Sequence, residues 1–204
     1  MSTTTTILLT TTSAGWVASA GYAMHLFRRV HTDPLTGLPN RDLLTVLARR
    51  ARGRGRVGLL LLDIDRFKSI NDVHGHRLGD EVLRAFAAEL TRAAEPGEMP
   101  IRLHGDEFAL WLGSTTQQDA DERARQVTER LHHTLDFTSG LRLAVSASVG
   151  AHTLPAAHFS LSALLAGADA AMYAAKRGTR LTSLPTITGR LRDQPADTSG
   201  KESA

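Results

Sequence analysis

The chain has 204 residues, a length that suits one domain with extensions at its ends. It contains no cysteine, which excludes disulfides, thiolate catalysis and Cys-ligated zinc. The formal net charge is +3, but the arginines are spread over several segments without an RNA-binding aromatic motif or a helix-turn-helix pattern. We therefore expect no nucleic-acid partner.

The N-terminal region carries a long uncharged segment. Residues 7–27 contain no Asp, Glu, Lys or Arg, and this length just meets the roughly 20 residues that a membrane helix needs. Arg28 and Arg29 follow, which would keep the rest of the chain on the cytoplasmic side. We expect a membrane tether here. One alternative is a helix that packs on the domain or on a second copy; another is a secretory signal, although the basic n-region of a signal is missing.

The body of the chain alternates irregularly between helical and extended patterns. Apolar spacing predicts helices over residues 41–52, 67–71, 80–94, 117–135 and 161–177. Strands are predicted over residues 57–62, 101–103, 108–112 and 141–150. This order favours an antiparallel or mixed sheet covered by helices. Residues 184–204 are rich in Thr, Ser, Pro, Asp and Gly, which predicts a disordered tail.

Two acidic stretches follow apolar runs that are typical of buried strands. Asp63 and Asp65 come after the first strand, and Asp106 and Glu107 lie between the second and third. Carboxylates at a strand end and at a neighbouring hairpin tip can converge on a divalent cation. Mg²⁺ suits this arrangement because it takes one or two carboxylates and completes its shell with water and substrate phosphates. The pattern indicates metal-assisted chemistry on a nucleotide, with Asp65 interpreted as a helix N-cap.

Four ordered motifs resemble those of the GGDEF family of diguanylate cyclases, which condense two GTP into cyclic di-GMP. They are Asp33–Arg41 (DPLTGLPNR), the Asp63–Asp80 block, the Arg102–Phe108 hairpin and Asp169–Lys176. The resemblance implies an α/β fold like that of nucleotide cyclases and polymerase palms, with a central mixed five-stranded sheet flanked by helices. It divides the chain into an N-terminal hydrophobic helix (1–32), a GGDEF domain (33–181) and a tail (182–204).

The resemblance also implies a role for each matching residue. Metal ligation falls to Asp63, the carbonyl of Ile64 and Asp106, with two Mg²⁺ or Mn²⁺ ions in each active site. Asp106 or Glu107 would accept the proton of the 3′-hydroxyl that attacks the α-phosphate. The implied substrate contacts are the backbone N–H groups of Phe67 and Lys68, Gly105, the side chains of Lys68, Lys176 and Arg180 on the triphosphate, and Asn71 and Asp80 on guanine.

The same resemblance implies that activity needs a homodimer, because each domain holds one GTP and the two must face each other. The GGDEF domain would then be cytoplasmic, where GTP is available, and held at the cytoplasmic membrane by the single N-terminal helix.

Three positions depart from the family pattern. His104 replaces the first glycine of the hairpin, where a positive φ is expected at a cost of about 1–2 kcal/mol, and its imidazole would project toward the nucleotide. Glu95–Glu98 replaces an Arg-x-x-Asp product site, so inhibition through that site is not expected. Gly178 stands one place early, which weakens the assignment of Arg180. The alternative to a cyclase is a degenerate GGDEF module that binds GTP or a partner and regulates without synthesis; a purely structural interaction domain is the third possibility.

Overall fold

The computed structural model describes residues 29–51, 53, 55–137 and 141–179, together with 19, 21, 22 and 24–27. The described residues before 32 are helical. The elements after them are α1 (Arg41–Arg50), β1 (Arg56–Ile64), α2 (Phe67–His74), α3 (His76–Ala93), β2 (Met99–His104), β3 (Glu107–Ser114), α4 (Gln117–Leu131), β4 (His133–Asp136), β5 (Arg142–Val145), β6 (Ala147–Pro155) and α5 (Leu161–Thr179).

The central sheet has the strand order β2-β3-β1-β6, and each neighbouring pair is antiparallel. Strands β4 and β5 form a separate two-stranded ribbon. The α/β class with a helix-covered sheet is confirmed. Within the described residues, however, the central sheet has four strands rather than five, and it is antiparallel rather than mixed. A single parallel bridge between Asn40 and Arg102 extends it beyond β2.

Strand β1 is apolar from Val57 to Leu62 because both faces of the sheet are covered. Leu60 and Leu62 belong to one hydrophobic cluster, whereas Leu59 and Leu61 belong to the other. Successive side chains of a strand point to opposite faces, so an unbroken run of leucines fills two cores at once. This explains why the sequence shows a continuous apolar run here instead of a polar–apolar alternation.

Helices α3 and α4 cover the first face of the sheet. In α3, Val82, Phe86 and Leu90 recur at helical spacing and are at most 1% exposed. Burying a side chain of this size contributes about 1.5–3 kcal/mol. The Phe86 ring lies 4.9 Å from that of Phe108, so this helix packs directly against the strand that follows the acidic hairpin.

Helices α1 and α5 cover the second face, and α5 approaches β6 closely at Gly150. A Cβ at this glycine would lie 2.1 Å from the backbone nitrogen of Met172 and 2.3 Å from the carbonyl oxygen of Ala168. Only glycine permits this approach. The contact fixes the part of α5 that lies one turn before Lys176.

Three predicted boundaries are wrong. Helix α3 begins at His76 rather than at residue 80, because Gly75, with φ of +80°, ends α2 and lets a new helix start at once. Helix α4 ends at Leu131, since His132 is extended and β4 follows. The predicted strand over 141–150 is divided at Ser146 into β5 and β6.

The N-terminal prediction falls only in part on described residues. In the portion of residues 7–27 that the structure describes, and elsewhere in its described ranges, no helix is long and apolar enough to cross a membrane. Large apolar side chains of this region are exposed rather than packed on the domain: Tyr22, Met24, Leu26, Phe27 and Val30. Residues 1–18 and the predicted tail at 182–204 lie outside the described residues.

Candidate active site at the ends of β1 and β3

The acidic residues meet because β1 and β3 are neighbours in the sheet. Asp63, near the end of β1, pairs in register with Glu107, the first residue of β3. The backbone N–H of Ile64 donates to the carbonyl oxygen of Asp106 at 3.3 Å. The structure therefore brings Asp63, Ile64, Asp106 and Glu107 together at one end of the two neighbouring strands, as the sequence predicts.

Lys176 of α5 reaches the same end of the sheet. Its Nζ lies 2.5 Å from Oδ1 of Asp63, whose side chain is 14% exposed. Burial raises the pKa of Asp63, and the charges of Asp106 and Asp65 raise it further, whereas Lys176 opposes the change. The net pKa is above the usual value. Burial, with a smaller effect from the neighbouring carboxylates, thus outweighs the contact with the Lys176 ammonium group.

The carboxylate of Asp65 binds two serine hydroxyls rather than capping a helix. Ser146 Oγ donates to Oδ2 and Ser148 Oγ to Oδ1, both at 2.6 Å, while the N–H of Asp65 donates to the carbonyl oxygen of Ser146 at 2.9 Å. The N-cap interpretation of Asp65 is wrong, because Arg66 occupies the N-cap position of α2. Asp65 instead ties β1 to the point where β5 passes into β6.

The first turn of α2 presents backbone N–H groups beside these carboxylates. Arg66 adopts the left-handed conformation (φ 58°, ψ 25°) and gives no side-chain cap to the helix. Phe67 and Lys68 open the helix directly after it, and Lys68 is exposed. The first N–H groups of a helix are available to an anion when no side chain caps them. The predicted phosphate contacts therefore stand at a suitable helix start.

Asn71 lies against Gly79, the residue before Asp80, where α2 packs against α3. A Cβ added to Gly79, the residue before Asp80, would lie 1.9 Å from Oδ1 of Asn71. The Asn71 amide occupies the space that a side chain at Gly79 would fill. Both predicted guanine-reading residues are partly exposed.

The hairpin turn does not carry the strain that the sequence predicts for His104. Gly105 takes the positive φ, at +52°, and within the described residues Arg66 is the sole non-glycine with φ in this region. The expectation of a left-handed His104 is therefore wrong. Its imidazole is 61% exposed, and Nε2 lies 3.3 Å from Oε2 of Glu107. The imidazole thus stands beside a carboxylate of the site.

Sequence reasoning missed the partners that hold the hairpin from behind. Arg102 contacts Asp33 and the carbonyl oxygen of Gly105, and its own N–H donates to the carbonyl oxygen of Pro39 at 2.8 Å. Asp33 and Arg102 each begin one of the four family motifs. Local apolar spacing, however, does not show that two residues so far apart in sequence are in contact. Arg180, the last predicted phosphate contact, lies outside the described residues.

Glu98, in the segment that replaces the product site of the family pattern, forms an ion pair with Arg123 of the same chain. Arg123 donates from Nε to Glu98 Oε1 at 2.7 Å and from Nη2 to Glu98 Oε2 at 2.8 Å. Both side chains are about nine-tenths buried, at 9% and 10% exposed. A cavity of about 370 Å³ with an acidic rim lies beside this pair. The Arg123 guanidinium is already paired with a carboxylate of the same chain.

The acidic residues at the ends of β1 and β3 fit a divalent cation. The charge of Asp106 is close enough to disfavour ionisation of Asp63, and a cation beside these carboxylates would relieve this effect. In the described ranges, no three His, Asp or Glu residues are grouped as a metal cage. Carboxylate and carbonyl oxygens are ligands that a hard divalent cation accepts, with waters and substrate phosphates completing its shell.

Residues 30–181 match the family described as "Diguanylate cyclase, GGDEF domain". Cyclic di-GMP phosphodiesterase PdeR of Escherichia coli is 36% identical over 154 residues, covering 74% of this chain and 23% of PdeR. Diguanylate cyclase DgcP of Pseudomonas aeruginosa is 39% identical over 158 residues, covering 73% of this chain and 23% of DgcP. This chain therefore spans about a quarter of either relative.

The solved structure of diguanylate cyclase SiaD in complex with its activator SiaC, from Pseudomonas aeruginosa, is similar to this fold. Its TM-score is 0.71 at 30% identity, and the alignment covers 84% of this chain and 67% of that one.

Proposed function

The chain belongs to the GGDEF family, and from this we propose that it is a diguanylate cyclase that condenses two GTP molecules into cyclic di-GMP. The observation that carries the proposal is the convergence of Asp63, Asp106, Glu107 and Lys176 beside the uncapped start of α2. Carboxylates next to cationic and N–H donors form a site for a nucleoside triphosphate with its divalent cations.

Asp63, the Ile64 carbonyl and Asp106 would hold the cations, proposed as two Mg²⁺ or Mn²⁺ ions per site. Bound divalent cations stabilise charge on the attacking and leaving oxygens of an in-line displacement. Glu107 or Asp106 would accept the proton of the attacking 3′-hydroxyl. The bond from this oxygen to the α-phosphorus forms as the bond to pyrophosphate breaks.

The triphosphate and the base are assigned to different elements. The N–H groups of Phe67 and Lys68, the turn at Gly105 and the cationic side chains of Lys68, Lys176 and Arg180 would hold the phosphates, because charge-assisted donors are the stronger ones. The carboxylate of Asp80 would accept from guanine N1–H and N2–H₂, which adenine cannot offer together, and Asn71 would bind beside it. These assignments favour GTP over ATP.

Synthesis needs two domains face to face, so we propose that the active form is a homodimer. The exposed apolar side chains of the N-terminal helical residues, among them Leu26 and Phe27, support an assembly that covers them. A dimer requirement predicts that activity per mole of protein rises with protein concentration.

The alternative is a degenerate module that binds GTP or a partner without synthesis. His104 and the kinship with a protein named as a phosphodiesterase motivate it. The relaxed backbone at His104 argues against it, because the substitution leaves the turn intact and Asp106 and Glu107 in place.

The test uses the full chain with GTP and Mg²⁺ or Mn²⁺, and follows cyclic di-GMP by chromatography. Product that disappears in Asp106→Ala is expected. Binding of a GTP analogue with a nonhydrolysable α,β bond is measured in parallel by calorimetry. Analogue binding without product at any protein concentration would move the assignment to the regulatory module, and His104→Gly would show whether that residue alone is responsible.

Residues 7–27 are proposed to tether the domain at the cytoplasmic membrane. The uncharged segment followed by two arginines supports this assignment. The full chain is expected to sediment with membranes after an alkaline carbonate wash. Recovery in the wash supernatant would exclude a spanning helix.

A further inference from the structure

Arg102 makes a three-way contact behind the acidic hairpin. Its Nη1 donates to Oδ1 of Asp33 at 2.8 Å, and its Nε and Nη2 donate to the carbonyl oxygen of Gly105 at 3.2 and 2.8 Å. Its side chain is 11% exposed; the bond to Asp33 is partly buried, whereas the two bonds to Gly105 lie at the surface. One guanidinium thus joins the start of the domain to the turn that carries Asp106.

Asp33 is itself held in place. Its Oδ1 also accepts from the N–H of Thr36 at 2.8 Å and from the Thr36 hydroxyl at 2.7 Å. Burial alone would raise the pKa of Asp33, but the hydrogen bonds from Thr36 and Arg102 outweigh it and keep the pKa below its usual value. The carboxylate is therefore a fixed anion that orients Arg102.

Among the described residues, the strand ladders hold Glu107, which pairs with His104 and with Asp63, but Gly105 lies outside their register. The residue after Gly105 is Asp106, whose carbonyl oxygen receives the N–H of Ile64 at a long 3.3 Å. The ladder between β2 and β3 is irregular between Arg102 and His104. One long hydrogen bond and a register shift leave the backbone of this turn room to move. The two bonds from the Arg102 guanidinium to the Gly105 carbonyl oxygen restrict that movement.

We propose that Arg102 is a positioning residue, which fixes the Gly105 carbonyl and through it the placement of Asp106 and Glu107, and that Asp33 orients Arg102 for this task. The consequence for catalysis rests on the proposed cyclase activity. The effect on the geometry of the turn does not.

The experiment compares the full-length parent with Asp33→Asn, Arg102→Lys and the double variant. Arg102→Lys keeps the charge that faces Asp33 but loses the planar fork on Gly105. The matched control is Asp136→Asn, which breaks an exposed Arg–Asp pair between β4 and β5. The readouts are amide hydrogen exchange in peptides covering residues 101–108, kcat and KM for GTP, and the melting temperature.

Both single variants are expected to speed exchange in the hairpin about tenfold, the change expected from losing one charge-assisted hydrogen bond. The value of kcat is expected to fall about 10- to 100-fold with little change in KM, because misplaced groups slow the chemical step. The double variant is expected to resemble the worse single one, since both changes remove the same link. The control leaves all of these values unchanged.

A structural role alone predicts the opposite pattern. In that case Arg102→Lys, which keeps the charge, is close to the parent in exchange and kcat, or the two single effects simply add; either result overturns the proposal. If Asp33→Asn does not fold, Arg102→Lys alone decides between these patterns. If the parent makes no cyclic di-GMP, the proposed function fails, and hairpin exchange still decides whether Arg102 fixes the turn.

Discussion

The pair formed by Glu98 and Arg123 offers a direct test of how this domain is stabilised. Replacing Glu98 with Gln removes the charge but keeps the shape of the side chain. Arg123 would remain 9% exposed with two of its strongest bonds weakened. The hydrogen bonds from Arg123 to Glu98 raise the pKa of the guanidinium despite its burial. The variant loses the charge of Glu98, but the guanidinium stays charged because an arginine side chain is effectively always protonated.

The size of the effect follows from what remains around the guanidinium. Leaving one member of a buried pair without its partner costs about 3–5 kcal/mol. Here the carbonyl oxygen of Ala93 still accepts from Nη2 at 2.5 Å, and Glu95, 62% exposed, lies 3.7 Å from Nη1. These contacts offset part of the loss, so we expect the free energy of unfolding to fall by about 3 kcal/mol, the lower end of that range.

Urea unfolding followed by far-ultraviolet circular dichroism measures this difference. The control is Glu122→Gln, which breaks the exposed pair with Arg125 and is expected to leave the free energy of unfolding close to that of the parent. If Glu98→Gln lies as close to the parent as the control does, the ion pair is not the source of stability at this position. A change in the slope with urea would instead indicate an altered unfolded state.

Three further changes test the site. Asp63→Asn is expected to abolish synthesis yet raise the melting temperature at pH 7. Because the pKa of Asp63 is raised in the folded state, its ionisation lowers the stability of the parent above that pKa, and the gain of the variant should vanish below about pH 4, where Asp63 is protonated in both states. An equal gain in melting temperature at pH 3 would contradict this. Gly79→Ala is expected to push the Asn71 amide aside and raise KM for GTP about tenfold. Gly53→Ala, which places a methyl group in open space, serves as the control. Unchanged GTP kinetics and an unchanged preference for GTP over ATP would show that Asn71 takes no part in base recognition. His104→Gly is expected to lower stability by about 0.5–1 kcal/mol through chain entropy; a stabilised variant in thermal melts would mean that the backbone at His104 is strained after all.

The sequence is informative about the site where a strand and its carboxylate are adjacent. The leucine run of β1 ends at Asp63, and the hairpin presents Asp106 and Glu107, so local patterns suffice to locate both. The predicted helix over residues 117–135 is too long, because Leu131 and Leu135 keep helical spacing across a helix end. Four residues of β4 are too few to show a strand period against that background.

The supporting contacts were not predictable for a different reason. Asp65 binds serines 81 and 83 residues later, and Arg102 binds Asp33, 69 residues earlier. Such bonds depend on which strands become neighbours, and short-range periodicity carries no information about this. The backbone at His104 belongs to the same class, since the positive φ could fall on either residue of the turn and the structure assigns it to Gly105.

Strand β1 contributes leucines to both hydrophobic clusters, and this sharing has a consequence for how the molecule can open. Neither layer of helices can detach without exposing apolar side chains of the strand that also anchors the other layer. The two cores should therefore melt as one cooperative unit rather than as separate subdomains. Asp63 lies at the end of that shared strand, so its position should persist until the whole domain unfolds, whereas the turn at Gly105 can open once the contacts of Arg102 are broken.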